Sequence, residues 1–200
     1  LLFELGTEEL PPTALKRLMQ SLEKGFLEGL NNAGLSQGDC KAFATPRRLA
    51  LLISDVQLAQ EARQVERRGP AVKAAFDADG NPTKAALGFA GSCGTTVDQL
   101  ERIETDKGEW LQYRFEEQGK PAAELLPKIA MQALNGLPIP KRMRWGSSDA
   151  EFVRPAHWLL FLHGNAVVEC NLLDTDAGNL TYGHRFHAPG AITILHPTDY

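Results

Sequence analysis

The chain has 200 residues, 43% hydrophobic and 23% charged, which is enough apolar material to bury a core and excludes a disordered protein. Its 21 basic and 25 acidic residues give a net charge of −4, which excludes a histone-like polycation. Three cysteines (Cys40, Cys93 and Cys170) show no short-range pairing motif, so we expect a reducing, cytoplasmic compartment. The start at Leu1, without methionine or a signal peptide, predicts a segment of a longer polypeptide.

The first part of the chain predicts a strand, a long helix and two further strands. Residues 1–5 form an apolar run typical of a strand, and two prolines then precede the helix. Over 15–30 the apolar side chains recur at helical spacing, and Gly34 follows as a C-terminal cap. The runs 42–44 and 49–56 predict the next two strands.

The middle of the chain mixes helices with a hairpin. The predicted elements are an extended segment over 57–68, a helix over 84–90 capped by Thr83, a hairpin of 97–104 with 110–116 joined through Asp106, Lys107 and Gly108, and a helix over 122–134. Gly69-Pro70 ends the extended segment and marks a possible boundary between two lobes, roughly 1–69 and 70–200.

The last part of the chain is rich in predicted strands. The runs 152–162 and 166–172 are joined through His163-Gly164-Asn165, a tight hairpin signal, and 191–195 predicts one more strand. Helices and hairpins without regular strand–helix alternation indicate an α+β fold, with a mixed or antiparallel sheet and packed helices.

The acidic excess is confined to one stretch of the chain. Residues 98–124 contain eight acidic and four basic residues, and the remainder is balanced. Positive charge in the remainder gathers in three short clusters, which are Arg47-Arg48, Arg67-Arg68 and Lys141-Arg142-Met143-Arg144. Such clusters are more often solvated surface, but a protein that is acidic overall can still offer a basic face to phosphates.

Arginines beside aromatic residues are a more informative pattern. The pattern occurs in Arg142-Met143-Arg144-Trp145, in Arg154-Pro155-Ala156-His157-Trp158 and in Tyr182-Gly183-His184-Arg185-Phe186. Arginine pairs with phosphate and aromatic rings stack on unpaired bases, so nucleic-acid contact is one interpretation. The alternative is that the tryptophans are core anchors and the arginines pair with carboxylates. We favour the alternative for Trp158, whereas both interpretations stay open for Lys141 to Trp145.

Several kinds of catalytic motif are missing from the sequence. It has no phosphate-binding loop of the G-x-x-x-x-G-K-S/T kind, no G-x-S-x-G elbow and no H-E-x-x-H motif. The scattered cysteines and histidines do not predict a metal site. His184 and Cys170 are a speculative base and nucleophile for hydrolysis, but Cys170 lies in a strand-like run that is typical of an inert thiol.

Motifs along the whole chain resemble one family. They are Leu2-Phe-Glu-Leu-Gly-Thr-Glu-Glu-Leu-Pro-Pro12, Thr45-Pro-Arg-Arg-Leu-Ala50, Arg68-Gly-Pro-Ala71 with Gly88-Phe-Ala90, Lys141-Arg-Met-Arg-Trp-Gly146 with Phe152-Val-Arg-Pro155, and Thr181-Tyr-Gly-His-Arg-Phe186. In this order they resemble the beta subunit of bacterial glycyl-tRNA synthetase. The resemblance implies that residues 1–200 are the N-terminal module of a longer chain.

The resemblance also implies an activity and partners for the whole protein. It implies a ligase of two alpha and two beta chains that couples glycine to its tRNA with ATP and magnesium, with the aminoacylation site on the alpha subunit. The expected partners are the alpha subunit and glycine tRNA, and we expect no membrane partner, no DNA partner and no cofactor in this segment. The fold is expected to be similar in kind to the editing-type module of the phenylalanyl-tRNA synthetase beta chain.

Three hypotheses for this segment follow from the resemblance. The first is tRNA contact and subunit assembly, with these candidate RNA-binding residues: Arg47, Arg48, Lys141, Arg142, Arg144, Trp145, Arg154 and Arg185. The second is a purely structural module that docks alpha against beta, its basic clusters paired with carboxylates such as Glu8 and Glu9. The third is an editing hydrolase, active or vestigial, that uses His184 and Cys170, although steric exclusion already suffices to reject amino acids larger than glycine.

Overall fold

A computed structural model describes residues 1–77, 79–105 and 108–200 of the chain. The fold is α+β, as predicted, with a mixed sheet, antiparallel sheets and packed helices. The chain forms two compact units. The first unit is Leu1–Glu61 with Lys120–Tyr200, and the second unit is Ala62–Gly119.

The elements of the described residues are named in chain order. The helices are α1 (Leu15–Asn32), α2 (Val72–Ala75), α3 (Lys84–Ser92) and α4 (Ala122–Asn135), with short 3₁₀ turns at Val97–Gln99 and Pro197–Asp199. The strands are β1 (Leu2–Thr7), β2 (Cys40–Thr45), β3 (Arg48–Ile53), β4 (Arg63–Ala71), β5 (Glu101–Thr105), β6 (Gly108–Glu117), β7 (Met143–Arg144), β8 (Glu151–Phe152), β9 (Ala156–His163), β10 (Ala166–Val167), β11 (Asn171–Leu172), β12 (Thr175–Gly178), β13 (Leu180–Tyr182) and β14 (Ala191–Thr193).

The first unit is built on one mixed sheet with β1 in its middle. The strand order is β11-β12-β9-β1-β3-β2, and β10 also pairs with β9. β1 runs antiparallel to β3 on one side and to β9 on the other, whereas β12 is parallel to β9. All of β1 is buried, because both of its edges are hydrogen-bonded and both of its faces are covered.

One face of β1 packs against the helices α1 and α4. Phe3 contacts Phe26 of α1 and Phe161 of β9, with ring centroids 5.1 and 5.2 Å apart. The helices cover this face because their apolar residues recur every three or four positions and form one buried stripe on each helix. The stripes include Leu18, Leu22, Phe26 and Leu30 in α1 and Leu126, Ile129, Ala130, Ala133 and Leu134 in α4. The main core of the first unit lies here.

The other face of β1 carries Leu2, Glu4 and Gly6, since side chains alternate along a strand. Leu2 belongs to a second, small apolar cluster, and Glu4 is fully buried. A side chain at Gly6 would overlap Trp158 of β9, because a Cβ built there comes within 2.0 Å of the indole ring. This face therefore holds a carboxylate and an indole where the first face holds helices.

The second unit is an antiparallel sheet with two short helices. β6 is its central strand, between β4 and β5. Leu111 of β6 forms a small core with Ala75 of α2 and Ala86 of α3. This core is much smaller than that of the first unit, in keeping with the shorter sequence that builds it.

The predicted helices and the turn of the last hairpin are confirmed, but the predicted strand 152–162 begins only at Ala156 as β9, and the predicted strand 166–172 divides into β10 and β11. α1, α3 and α4 lie where helical spacing predicted them, and β9 turns into β10 through Gly164, which has a φ of 59°. Thr83 precedes α3 as expected, but its hydroxyl donates to the carbonyls of Ala74 and Ala75 and does not cap the helix. The predicted turn residues Asp106 and Lys107 lie outside the described residues.

The boundary between the two units differs from the predicted lobe boundary. Gly69 and Pro70 lie inside β4, and the units divide between residues 61 and 62 and between 119 and 120. The physical reason is that β4 continues past the proline and pairs again with β6 at Ala71 and Trp110, after a shift in register. A proline is tolerated there because β4 is an edge strand.

None of the helices in the described ranges combines the length and the apolar character that crossing a bilayer requires.

Replacing Gly6 with alanine should destabilise the first unit. The added methyl group overlaps the Trp158 ring, and forced overpacking of this kind costs about 1–3 kcal/mol. Gly178→Ala in β12 is the matched control, since a Cβ at Gly178 meets nothing within 4 Å. Urea unfolding should show a lower midpoint for Gly6→Ala and a midpoint within error of the parent for Gly178→Ala. Equal midpoints for the two variants would contradict the packing described.

Candidate functional site

A buried carboxylate lies at the centre of the first unit. Glu4 is 0% exposed and stands in the middle of an otherwise apolar strand. Burying a charged group costs several kcal/mol unless hydrogen-bond donors or an opposite charge surround it. β1 can therefore occupy the middle of the sheet only if other segments bring donors to Glu4.

Three side chains from three other strands donate to Glu4. The indole Nε1 of Trp158 (β9) donates to Oε1 at 2.5 Å, and Thr181 Oγ1 (β13) donates to the same oxygen at 2.6 Å. Nη1 of Arg48, the first residue of β3, lies 3.4 Å from Oε2 and forms an ion pair. Arg48 also donates to the carbonyl of Tyr182. One carboxylate thus connects β1, β3 and β9 to the two-stranded ribbon made by β13 and β14.

The Trp158 indole is held in place by its neighbours. Gly6 pairs with Arg48 on one side and with Trp158 on the other, so the three residues form one row across the sheet. The indole lies over Gly6, and the ring of Tyr182 meets it nearly edge-on at a centroid distance of 5.1 Å. The Arg48 guanidinium is 5.8 Å from its ring centroid. These contacts fix the direction in which Nε1 points toward Glu4.

Arg48, Trp158 and Tyr182 also line a groove of about 1090 Å³. We call it the ribbon groove, because β13, β14 and the loop between them supply about half of its lining. Its lining residues are Glu9, Phe43, Thr45, Pro46, Arg47, Arg48, His157, Trp158, Thr181, Tyr182, Gly183, His184, Arg185, Phe186, Pro189, Ile192, Ile194, Asp199 and Tyr200. Three segments that are distant in sequence, at 43–48, 157–158 and 181–200, meet there.

The arginines at the mouth of the ribbon groove are paired with carboxylates. Arg47 Nη2 lies 3.3 Å from Glu8 Oε1, and His157 Nε2 lies 2.8 Å from the same oxygen. The hydrogen bond with His157, aided by the charge of Arg47, lowers the pKa of Glu8. Arg185 Nη2 lies 3.8 Å from Glu9 Oε1. Pairing with Glu8 and Glu9 is the arrangement that the structural-docking hypothesis predicted.

Two further groups belong to this region. Arg154 donates to the backbone carbonyl of Glu9 at 3.0 Å and does not line the groove. Tyr200 lines the groove, and burial together with the Glu4 carboxylate raises the pKa of its hydroxyl to about 12. Tyr200 is therefore neutral at physiological pH.

The basic cluster Lys141-Arg142-Met143-Arg144 is also engaged in intrachain contacts. Arg142 donates to the carbonyl of Asn135 at 2.9 Å and to that of Glu151 at 3.4 Å, so its guanidinium caps the C-terminal end of α4. Arg144 pairs with Asp149 at 3.3 Å and with Glu151 at 2.8 Å while more than half of its side chain stays exposed. Arg142 therefore stabilises the end of α4, whereas the exposed part of Arg144 is accessible to an external partner.

Trp145 and Lys141 have different surroundings within this cluster. Trp145 is half-buried and packs against the main core of the first unit, as the core-anchor interpretation predicted. Lys141 is exposed. The depression beside Arg142 and Arg144 has a volume of about 610 Å³.

Arg67 and Arg68 contact aromatic rings in the second unit. Arg67 lies over Phe115 at 5.5 Å, and Arg68 lies over Trp110 at 4.2 Å. Because the two arginines are adjacent on β4, they extend from opposite faces of that sheet. Arg67 and Arg68 therefore do not form a single basic patch.

His184 and Cys170 do not share a site. His184 lines the ribbon groove, and its Nδ1 accepts hydrogen bonds from the backbone N–H groups of Phe186 and His187. Cys170 is absent from the groove lining and packs against the main core, where burial raises the pKa of its thiol to about 11. Within 1–77, 79–105 and 108–200, no three His, Cys, Asp or Glu side chains are grouped so as to hold a metal ion.

Sequence reasoning missed the residues that organise the ribbon groove. In the sequence Glu4, Thr181 and Tyr182 stand out only as members of the family motifs, and the apolar run around Trp158 predicts a core residue. One signal was available, because a glutamate inside the run Leu1-Leu2-Phe3-Glu4-Leu5 must be neutralised if that strand is buried. The partners of Glu4 could not be identified in the same way, because Trp158 and Thr181 come close to it only in the folded chain.

Comparison with known proteins identifies the family. The family described as glycyl-tRNA synthetase beta subunit matches residues 1–200. The glycine–tRNA ligase beta subunit of Marinobacter nauticus is 55% identical over 199 residues, which are 100% of this chain and 29% of that protein. Those of Chromohalobacter salexigens and Escherichia coli are 52% and 48% identical, with the same coverage of 100% and 29%.

These matches define a segment of an aminoacyl-tRNA synthetase subunit. The chain belongs to the glycyl-tRNA synthetase beta subunit family. It spans 29% of the length of the curated relatives that it matches.

Cys170 should react slowly with alkylating reagents at neutral pH. With a thiol pKa of about 11, the thiolate is scarce, and iodoacetamide should modify Cys170 at least about tenfold more slowly than N-acetylcysteine at pH 7.5. The rate should rise steadily as the pH approaches 11. Mass spectrometry of the Cys170 peptide measures both. A rate at pH 7.5 equal to that of N-acetylcysteine would support a nucleophilic thiol and contradict the environment described.

Proposed function

We propose that the chain is the N-terminal part of the beta subunit of a glycine–tRNA ligase, in which it acts in subunit assembly and tRNA contact. The observation that carries the proposal is the family match over all 200 residues. The full-length protein would be a subunit of an enzyme that charges tRNA with glycine and consumes ATP. We also propose that the fold of this segment is similar in kind to the editing-type module of the phenylalanyl-tRNA synthetase beta chain.

The aminoacylation site is proposed to lie on the alpha subunit. Glycine and ATP with magnesium are then substrates of the assembled ligase that bind outside this segment. The sequence supports this assignment, because it contains no phosphate-binding loop of the G-x-x-x-x-G-K-S/T kind. The cytoplasm is the proposed location, since the relatives are ligases of protein synthesis.

The assembly role is supported by the ribbon groove. Arg47 and Arg48 already hold carboxylates of the same chain, so among the described lining residues the loosely paired Arg185 is the one arginine whose charge is left largely open to a partner. Most of the exposed lining of the groove is apolar. A surface of this kind suits a protein partner better than a phosphate backbone.

The tRNA-contact role is supported by the cluster that starts at Lys141. Lys141 is exposed, and Arg144 keeps more than half of its side chain in solvent although it is paired. Both can approach phosphates without unfolding any part of the chain. Arg142 is a weaker candidate, because its guanidinium is committed to the end of α4.

Neutralising Lys141 and Arg144 should weaken tRNA binding by the assembled ligase. Lys141→Ala with Arg144→Ala removes two phosphate contacts, so the slope of log affinity against log salt should fall by about two and affinity should drop several-fold at low salt. The measurement is a titration of glycine tRNA at several salt concentrations.

The matched control is Lys16→Ala with Arg17→Ala on the exposed side of α1, which removes the same charge. If both double variants leave the affinity and its salt slope unchanged, or change them equally, Lys141 and Arg144 are not tRNA contacts.

A further inference from the structure

Large apolar side chains are exposed around the ribbon groove. Phe186 is 74% exposed, Ile192 is 48% exposed and Phe43 is 40% exposed, and all three line the groove. Single exposed apolar residues need no explanation, but a group of them around one concave surface marks a site of association.

The lining has the composition of a protein–protein interface. Five of its residues are aromatic and three are arginines, whereas none is a lysine. Aromatic residues and arginine are enriched where proteins meet, and lysine is depleted there. A site for an RNA backbone would instead carry several cations without carboxylate partners.

One charge at the mouth of the groove is incompletely neutralised. Arg185 is 52% exposed on its side chain, and its nearest carboxylate oxygen, in Glu9, is 3.8 Å away. Its guanidinium lies over the exposed ring of Phe186 at 4.8 Å, which holds the charge beside the apolar surface. A carboxylate on a bound segment could therefore pair with Arg185 while apolar side chains of the same segment cover Phe186 and Ile192.

We infer that the ribbon groove binds a segment of the partner subunit that presents aliphatic or aromatic side chains together with one carboxylate. The apolar side chains enter the groove between Phe43, Phe186 and Ile192, and the carboxylate meets Arg185. This inference rests on the assembly role proposed above and assigns that role to one surface. Glu4 takes no part in binding, because it is fully buried and its partners are Trp158, Thr181 and Arg48.

The test measures binding of the purified alpha subunit of the ligase to the beta chain. Phe186→Ser with Ile192→Thr removes exposed apolar surface and should weaken this binding at least about tenfold. Arg185→Glu should also weaken it, and more strongly at low salt than at high salt. Because all three side chains are substantially exposed, circular dichroism and the unfolding midpoint should stay those of the parent protein.

The matched control is Leu58→Ser, which removes an apolar side chain that is 78% exposed and does not line the groove. It should bind the alpha subunit within about twofold of the parent. Glycine tRNA is titrated in parallel against every variant.

Three results would overturn the inference. If the parent binds the alpha subunit but the groove variants bind it equally well, the docking surface lies elsewhere and the assembly role survives. If the groove variants lose affinity for tRNA and keep affinity for the alpha subunit, the groove is an RNA site. If the parent binds neither probe, the proposed function itself fails together with the inference.

Discussion

The first unit depends on the neutralisation of Glu4. β1 lies in the middle of the sheet, between β9 and β3. This buried strand nevertheless carries the carboxylate of Glu4, which has no exposure to water. The carboxylate is tolerated because an indole, a hydroxyl and a guanidinium reach it from β9, β13 and β3. Removing one partner of a buried ion pair typically costs about 3–5 kcal/mol, which is a large fraction of the stability of a domain. The arrangement therefore specifies how three separate segments meet.

The same interaction accounts for the position of the ribbon groove. Thr181 and Tyr182 of the ribbon are tied to Glu4 and Arg48, so the ribbon rests on the face of β1 that the helices leave uncovered. The apolar side of the ribbon then faces Phe43 and Trp158 across a concave surface. Arg47 and Arg48 serve this architecture through carboxylates of the same chain, which leaves the Lys141 region as the better candidate for RNA contact. Basic clusters of similar appearance in the sequence thus have different roles in the folded chain.

The local sequence pattern predicts much of the fold but does not predict which residues form the ribbon groove. The stripe of α1, the hairpin at Gly164 and the α+β class follow from the spacing of apolar residues and from turn chemistry, which act within a few residues. The two units divide between residues 61 and 62, away from Gly69-Pro70, because β4 pairs with β6 on both sides of the proline. The apolar run around Glu4 shows that this carboxylate needs partners, but Trp158 and Thr181 lie more than 150 residues away in sequence, so no local pattern could identify them.

Amide hydrogen exchange in a Glu4→Gln variant tests this account most directly. A glutamine keeps the shape but has no charge for Arg48 and places an N–H₂ group among donors. We expect the amides of β13 and β14 to lose protection by at least about tenfold relative to the unsubstituted protein, whereas the amides in the pairing of β1 with β3 lose much less. Glu28→Gln, in an exposed pair with Lys24, should leave protection unchanged. Unaltered protection of β13 and β14 in Glu4→Gln would contradict the central place given to this carboxylate.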